Sequence, residues 1–334
     1  MHKGRVPRHA VSGPRRKRDG STVKRTIFKR LIHLVVIILG VSFLTFLLIY
    51  IAPGDAAQRR LTAQGVVVSQ EVLDATRLEM GLDKPFPVQY GDWMLSALRG
   101  DLGRSYKDDL PVSGKLTAAV GNTLALALTS LFLSWVVSLP LAIWTAVKKG
   151  GLADLVIRVF SFIGNSLPNF LLSVLLMYFF CIRLKLLPVI AAGSIRGLLL
   201  PCLALVIPLC SRFVRQFRAE ILEQLGQEYV LGARTRGVKW RYILFHDVLR
   251  NAAPAIMTIT ALSVGSLLGG SVVIETIFSW PGLGKLAMDA ITNRDYPVIQ
   301  GFVLFTAAVY VLINLLTDLF YGWIDPRVRE GAQS

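Results

Sequence analysis

Residues 31–52 read LIHLVVIILGVSFLTFLLIYIA and contain no Asp, Glu, Lys or Arg. A helix rises about 1.5 Å per residue, so this stretch would be about 33 Å long and could cross a hydrocarbon core of about 30 Å. The apolar region of a cleaved signal peptide is shorter, which favours an uncleaved first membrane span. The stretch therefore predicts a membrane protein.

The rest of the chain has the same character. Of its 334 residues, 53% are hydrophobic and only 17% are charged, against about 25% charged residues in soluble domains. This composition excludes a soluble globular enzyme, a disordered chain and a fibrous protein. Further apolar segments occur at residues 118–147, 155–182, 198–217, 252–274 and 299–323. The predicted fold class is therefore an all-α polytopic membrane protein with six transmembrane helices.

The distribution of basic residues predicts the orientation of these spans. Residues 1–30 hold eleven Lys or Arg and one acid, and they are predicted to form a disordered cytoplasmic tail that contacts anionic lipid. With the N-terminus inside, the inner segments hold 24 Lys or Arg and the outer segments 13, as the positive-inside rule requires. The C-terminal end, 324–334, is then also cytoplasmic, and residues 53–117 form a small extracytoplasmic domain. No aromatic residue is interleaved with the charges of the tail before Phe28, so nucleic acid is not a predicted partner.

The sequence lacks the motifs of a catalytic protein. It contains no GxxxxGK[ST] phosphate loop, no HExxH, no Gly-x-Ser-x-Gly and no CxxC, and its four histidines show no metal-ligand spacing. We therefore predict a non-enzymatic chain without a metal site or cofactor, whose energy for transport comes from a partner. Charges at the ends of spans, at Arg158, Glu275 and Asp318, are predicted to snorkel or to cap the membrane interface.

The longest hydrophilic stretch on the inner side has two helical faces separated by Gly237. Apolar residues at Leu222, Leu225, Tyr229, Val230 and Ala233 recur at helical spacing before that glycine, and a second apolar face begins after it. A helix, a glycine turn and a second helix would make a compact knob that can dock in a cleft. The pattern also fits a basic amphipathic segment lying on the lipid surface, and by itself leaves both readings open.

The residues around this turn resemble a known family. Residues 228–237 read EYVLGARTRG and residues 249–252 read LRNA, which is similar to the cytoplasmic coupling loop of ABC importer permeases, in particular the peptide and nickel branch. The resemblance implies that residues 218–250, here called the coupling loop, seat in a groove of an ATP-binding subunit. The residues to which it assigns this role are Glu228, Tyr229, Gly232, Ala233, Arg234, Gly237, Arg250 and Asn251.

The coupling loop departs from the family pattern at two places. The broader motif begins Glu-Ala-Ala, where this chain has Leu231-Gly232-Ala233, so the salt bridge made by that glutamate is not available. The proline after the RNA sequence is Pro254, one position earlier than in the family pattern. The start of the fifth span is therefore expected to be shifted along the sequence relative to the family pattern.

A second resemblance lies between the last two predicted spans. Residues 274–285 read IETIFSWPGLGK and residues 293–301 read NRDYPVIQG, which is close to the signature of peptide and nickel permeases in this segment. Its proline and glycines predict a turn or re-entrant segment on the outer face, and residues 275–298 are here called the outer lip. An ordered turn with surface charges is the alternative. The residues predicted to brace the lip or to meet a binding protein are Glu275, Trp280, Pro281, Gly282, Gly284, Arg294, Asp295, Tyr296 and Pro297.

The resemblance covers about residues 30–330 and implies the type I permease fold of ABC importers in a bacterial cytoplasmic (inner) membrane. Implied partners are a paralogous second permease, two ATPase subunits that bind ATP and Mg²⁺, and an extracytoplasmic substrate-binding protein. Nickel, a chelated metal and a di- or oligopeptide all fit as substrates. Trp280 and residues 166–170 (SLPNF) are slightly more similar to nickel permeases than to oligopeptide permeases. The alternative is a secondary transporter or channel, which would need polar residues around a cavity. Asn122, Asn165, Asn169 and Asn314 are the candidates for it, although interhelical hydrogen bonds are the expected role of these residues.

Overall fold

The computed structural model describes residues 20–63, 65, 69–190 and 194–324. The predicted tail residues 1–19 and the predicted cytoplasmic end from residue 325 lie outside this range. The helix that ends the described part has side chains described only to Leu312, so the predictions for Asn314 and Asp318 also lie outside it.

Every regular element in these ranges is a helix. In chain order they are α1 (Gly20–Ile51), α2 (Ala56–Ala63), α3 (Gln70–Glu79), α4 (Phe86–Leu98), α5 (Val112–Val147), α6 (Leu152–Ser166), α7 (Asn169–Met177) with a π-helical turn (Tyr178–Arg183), α8 (Ile195–Leu225), α9 (Glu228–Thr235), α10 (Trp240–Tyr242) with a second π-helical turn (Ile243–Val248), α11 (Leu249–Ile277), α12 (Leu283–Asn293) and α13 (Tyr296–Ile324).

Three of these helices are individually long and apolar enough to cross a membrane: Val112–Val147, Ile195–Leu225 and Trp240–Leu267. Two further spans are possible if a bent pair counts as one, namely Val35–Ile51 with Ala56–Ala63 and Leu152–Ser166 with Asn169–Arg183. In α13 (Tyr296–Ile324), the part whose side chains are described, Tyr296–Leu312, is apolar and is by itself shorter than a full span. The described residues thus give three to five candidate spans, against the six predicted.

The third predicted span, residues 155–182, is not one straight helix. It breaks between α6 and α7, which meet at 100°. Leu167 is extended (φ −79°, ψ 128°) because Pro168 disfavours the helical conformation of the residue before it. Pro140, Pro201, Pro208 and Pro254 all lie inside continuous helices. A proline therefore does not by itself break a helix in this chain, because neighbouring helices can stabilise the helix around it.

Two further boundaries differ from the prediction. Helix α1 begins at Gly20, so residues 20–30 are helical where a disordered tail was predicted; residues 21–30 contain neither Pro nor Gly, so the backbone can continue the helix of the span. Helix α8 runs to Leu225 where the fourth span was predicted to end at residue 217. The coupling loop therefore begins on an extension of a membrane helix.

The core lies around α8, which packs against α5, α6, α7 and α11. Its buried residues include Phe213 and Phe217, whose rings stack with centroids 4.9 Å apart. Buried Ser130, Ser134 and Ser138 follow the length of α5, and such small side chains let two helices approach closely in a membrane. This packing forms one block that joins the membrane helices to the coupling loop.

Between α1 and α5 the chain forms the short helices α2, α3 and α4 at one end of the bundle. A small apolar cluster of Ala57, Leu61 and Leu73 joins α2 to α3. Asp55 accepts a hydrogen bond from the backbone N–H of Ala57 (2.9 Å) and forms an ion pair with Arg77 (2.6 Å). The segment predicted as an extracytoplasmic domain thus has its own ordered structure, which ends where α5 begins at Val112.

Candidate functional site

The coupling loop has the predicted helix, glycine turn and helix. Helix α9 ends at Thr235, and Gly237 follows with φ +76°, a left-handed conformation that glycine adopts without steric cost. The N–H of Gly237 donates to the carbonyl of Arg234 (2.9 Å), and that of Val238 to Ala233 (3.1 Å). This pair of bonds is a Schellman motif, which satisfies carbonyls at the end of α9 and reverses the chain toward α10.

One face of α9 points into the protein. Val230 and Ala233 are buried in the main core, and Tyr229 packs against it. The hydroxyl of Tyr229 also donates to Gln224 Oε1 (3.2 Å). Because α9 is fixed to α8 and to the π-helical turn before α11, a force applied to α9 would reach both membrane helices. Ala233 therefore positions α9 and does not itself form the exposed surface to which the family resemblance assigned it.

The opposite face of α9 is exposed. It carries Glu228, Arg234 and Leu231, and 66% of Leu231 is accessible. The guanidinium of Arg234 lies over the Trp240 ring, 4.2 Å from its centroid, a cation–π contact that holds the charge at the edge of the loop. Leu231 and Arg234 thus give α9 an exposed surface with one apolar and one cationic side chain. Leu231 was not among the predicted docking residues.

The other predicted coupling-loop residues lie at its margins. A Cβ on Gly232 would lie 3.4 Å from Nη1 of the exposed Arg236 side chain, a van der Waals contact that a small side chain can make. Arg250 and Asn251 are exposed in the first turn of α11, beyond the π-helical turn against which α9 packs. They do not belong to the exposed face of α9.

A buried ion pair missed by the sequence reasoning joins α6 to α8. Asp154 is only 1% exposed; Arg218 Nη2 donates to its Oδ2 (3.0 Å), and Arg218 Nε lies 3.0 Å from Oδ1. The backbone N–H of Gly150 also donates to Asp154 (3.0 Å). The pair fixes the α5–α6 turn to the part of α8 that leads into the coupling loop. Its sequence signal was a single acid, Asp154, in the first turn of α6.

Replacing Arg218 by Ala should destabilise the chain more than replacing both Asp154 and Arg218 by Ala. The single change leaves a buried carboxylate without its main partner, whereas the double change removes both charges. Thermal unfolding of the purified chain in detergent measures the difference. Exposed Arg215, one turn earlier on α8, is the matched control, and Arg215→Ala should leave the midpoint unchanged. Equal midpoints for the single and double variants would show that Arg218 does not stabilise the buried charge of Asp154.

Glu275 is the centre of the outer lip and is fully buried. Its Oε1 accepts from the hydroxyl of Thr123 (2.8 Å), and its Oε2 accepts from the backbone N–H groups of Gly284 (2.7 Å) and Lys285 (3.2 Å). The carboxylate thus caps α12, where an anion is favoured by the helix dipole. The prediction that Glu275 snorkels to the membrane interface is wrong, because its hydrogen-bond donors come from α5 and α12 and enclose it.

Trp280 and Pro281 fasten the same turn to α5. The indole Nε1 of buried Trp280 donates to the carbonyl of Asn122 (2.9 Å), and Asn122 Nδ2 donates to the carbonyl of Pro281 (2.9 Å). Asn122 therefore holds the lip, which differs from the cavity-lining role considered for it. Asn165 is exposed at the end of α6, and Asn169 begins α7.

Gly282 and Gly284 are required by close packing. A Cβ on Gly282 would lie 2.5 Å from the Glu275 carboxyl carbon, and one on Gly284 would lie 2.4 Å from Val272 Cα. Both distances are shorter than any real carbon contact, and the second is to backbone, which cannot turn away. The glycines thus allow α12 to fold back onto α11, as expected for a lip.

Replacing Gly284 by Ala should destabilise the chain by roughly 1–3 kcal/mol, the usual cost of overpacking. Gly121→Ala is the matched control, since Gly121 also lies in a helix near the lip and a Cβ there would meet nothing within 4 Å. That change should be neutral or stabilising, because Ala favours helix over Gly by up to about 1 kcal/mol. Denaturation of the two variants in detergent compares them; equal stabilities would refute the packing argument.

The C-terminal part of the lip is braced against the segment before α5. Buried Asp295 accepts from the Ser105 hydroxyl (2.5 Å) and from the backbone N–H of Tyr106 (3.0 Å). Burial raises the pKa of Tyr106 well above its usual range, so its hydroxyl stays neutral beside this carboxylate. Next to it, Arg294 takes a left-handed conformation (φ +54°) that ends α12.

Tyr296 and Pro297 continue this contact. Arg59 stacks over the Tyr296 ring, 4.9 Å from its centroid, and donates a hydrogen bond to its hydroxyl. Pro297 lies 3.9 Å from the position of a Cβ on Gly103. The predicted lip residues thus form two groups, one held by Glu275 and one by Asp295, which fix the lip to α5 and to the segment before it.

The described residues contain no group of three or more His, Cys, Asp or Glu that could hold a metal ion. Charged groups at the two ends of the molecule are instead used in ion pairs and helix caps. The described residues thus form an exposed face on α9 and a braced lip, and the continuous helix α11 lies between them.

Comparisons with known proteins agree with this arrangement. Residues 138–330 match the family described as binding-protein-dependent transport system inner membrane component, and residues 23–127 match the N-terminal component of the same systems. The fold is similar to that of the MetNI methionine ABC transporter in an inward-facing conformation, with a TM-score of 0.51, 19% identity, and coverage of 63% of this chain and 96% of that chain.

Three relatives cover nearly the whole chain. The metal-staphylopine import system permease CntB of Staphylococcus aureus strain Mu50 is 35% identical, over 92% of this chain and 99% of CntB. The nickel import system permease NikB of S. aureus strain MRSA252 is 37% identical, over 91% and 92%. The glutathione transport system permease GsiC of Salmonella choleraesuis is 36% identical, over 91% and 98%. This chain belongs to the family of inner membrane components of binding-protein-dependent transport systems, the permease subunits of ABC importers.

Proposed function

We propose that this chain pairs with a paralogous permease to form a translocation pathway, and that α9 carries the coupling to the ATPases. In the complete importer, two ATPase subunits bind ATP and Mg²⁺ and a binding protein delivers substrate; this chain binds no cofactor and catalyses no reaction. The observation that carries the proposal is the exposed face of α9 at Leu231 and Arg234, on a helix whose other face is buried against the membrane helices.

The orientation follows from the positions of the two sites. Helix α11 has 29 residues, about 43 Å at the usual rise, and it separates the coupling loop from the outer lip. The coupling loop is on the basic side of the chain, which the positive-inside rule assigns to the cytoplasm. We therefore place both termini inside, the lip and residues 53–117 outside, and the bent pairs and α13 among six spans.

The mechanism follows from how α9 is held. ATP-driven closure of the ATPases moves α9, and the buried contacts of Val230 and Ala233 carry this motion into α8 and α11. Helix α11 ends at Glu275, which caps α12. A rigid movement of α11 would therefore displace the lip, where the binding protein releases its substrate.

The substrate class is a small peptide or a metal chelate. The relatives named above are permeases for metal–staphylopine, nickel and glutathione, which are a metal chelate, a metal ion and a small peptide, and no described cluster of this chain provides resident metal ligands. A metal chelate presents carboxylates and amines to the pathway, as a peptide does. One pathway chemistry therefore serves both, with selection made by the binding protein.

Uptake in cells lacking this chain, compared with complemented cells, tests the proposal. Labelled nickel with and without a small-molecule chelator, and a labelled dipeptide, are offered in parallel. We expect one of them to require both the chain and its ATPases. Uptake that requires the chain but survives removal of the ATPases would instead identify a secondary transporter or channel.

A further inference from the structure

Helix α4 (Phe86–Leu98) belongs to the segment that was predicted to be extracytoplasmic, yet it packs along a membrane-spanning helix. The rings of Phe86 and Tyr90 contact Phe43 and Phe46 of α1, with centroid distances of 5.6–5.8 Å. Phe86 also meets Tyr50 at 5.0 Å. Aromatic pairs at such separations are attractive beyond the apolar area that they bury, so α4 is held firmly against α1.

These contacts reach far down α1. The hydroxyl of Tyr90 lies 2.9 Å from the hydroxyl of Ser42, and Ser42 precedes Ile51, the last residue of α1, by nine positions. At about 1.5 Å per residue, Tyr90 therefore meets α1 about 13 Å from its end. The hydrocarbon core is about 30 Å thick, so this contact lies well inside one leaflet.

The face of α4 turned away from α1 is apolar, and no other described part of the chain covers it. Pro87, Val88, Leu95 and Leu98 are exposed on this face, Leu95 to 56% and Leu98 to 76%. Beside it, α1 exposes Leu44 and Leu48 along the length that must face lipid if α1 crosses the membrane. The apolar surface of the span thus continues onto α4.

The ion pair made by α4 is compatible with a membrane environment. Its one charged residue, Asp92, forms an ion pair with Lys84 Nζ (2.7 Å). Lys84 precedes the helix, and its long side chain can hold its charge at the membrane interface. The backbone of α4 is helical and so satisfies its own polar groups, the condition for any segment in lipid.

We infer that α4 is embedded in one leaflet of the bilayer as a helix that does not span it, with acyl chains against Val88, Leu95 and Leu98. A binding protein docked on the same face is the competing occupant. The inference rests on α1 crossing the membrane and is independent of the proposed substrate and of which leaflet faces outward.

Spin-label accessibility in the full importer, reconstituted in proteoliposomes, tests the inference. Cys181, Cys202 and Cys210 are first replaced by Ala, and one nitroxide is attached at a time to Val88→Cys or Leu95→Cys. Leu44→Cys on α1 is the control for lipid, and exposed Asp83→Cys, just before α4, is the control for water. If one α4 variant does not support uptake, Leu98→Cys replaces it.

We expect labels at 88 and 95 to collide more with oxygen than with a water-soluble nickel chelate, as at 44, and the label at 83 to show the reverse. Labels at 88 and 95 that behave as at 83 would overturn the inference. Labels that become inaccessible to the chelate only after the binding protein is added would overturn it too, and would assign the face to that protein.

Discussion

Leu231→Lys should reduce the recovery of the ATPase subunits with this chain by roughly thirtyfold and should abolish ATP-dependent uptake. Leu231 is the most exposed apolar side chain on α9. Full burial of a leucine side chain contributes about 1.5–3 kcal/mol, and about 2 kcal/mol corresponds to roughly thirtyfold in affinity. The family pattern has a glutamate at this position that forms a salt bridge, so a lysine would carry a charge of the wrong sign and would lose its hydration on docking without gaining a partner. The measurement is affinity capture of the tagged chain from membranes, followed by quantification of the ATPase subunits.

The matched control for this prediction is Leu78→Lys. Leu78 has the same exposed fraction as Leu231, 66%, but lies on α3 at the other end of the molecule. This change should leave ATPase recovery unaltered, and both variants should reach the membrane in equal amounts. Wild-type recovery with Leu231→Lys would show that the exposed face of α9 is not the docking surface.

Glu275→Ala should destabilise the chain by about 3–5 kcal/mol and reduce uptake to background. The change leaves the hydroxyl of Thr123 and the N–H groups of Gly284 and Lys285 without the acceptor they have now, and each buried donor that is left unpaired costs about 1–3 kcal/mol. It also removes the anion that caps α12. Denaturation in detergent and uptake in cells measure the two effects.

Glu275→Gln separates hydrogen bonding from charge at the same position. The amide oxygen can accept from Gly284 and Lys285, and its NH₂ can donate to the hydroxyl oxygen of Thr123. We expect this variant to recover more than half of the stability that Glu275→Ala loses. If both variants are as stable as the wild type, Glu275 does not hold the lip and the account of this site is wrong.

The coupling loop was largely predictable because its signal is local. Gly237 ends one apolar period and precedes the next, and the structure has a Schellman turn at that glycine. The direction in which each residue of α9 points was not predictable, because it depends on where α8 and the π-helical turn pass. Ala233 therefore proved to be buried and Leu231 exposed, although the family resemblance drew attention to Ala233.

The chemistry of the buried acids could not be predicted for a related reason. Glu275 meets Thr123, 152 positions earlier in the chain, and Asp154 meets Arg218, 64 positions later. A sequence shows each acid at the end of an apolar run, where solvation at the membrane interface is the ordinary expectation. Only the packing of helices distant in sequence turns those ends into enclosed sites.

The break at Pro168 shows how far helix boundaries can be predicted from the sequence. Five prolines lie in apolar segments predicted to span the membrane, at positions 140, 168, 201, 208 and 254, and the helix is interrupted at one of them. The local rule that a residue before proline leaves the helical region applies to all five equally. Tertiary packing decides which helix continues, so the 100° bend between α6 and α7 required the structure.

Site-specific cross-linking from position 231 tests the central claim most directly. A photoactivatable residue at position 231, and a second one at position 78 as control, are introduced into the chain in membranes that contain the whole importer. The account predicts an adduct between position 231 and an ATPase subunit, changed in yield by ATP, and no such adduct from position 78. Adducts from position 231 with lipid alone would contradict it, and would return α9 to the alternative of a basic helix lying on the membrane surface.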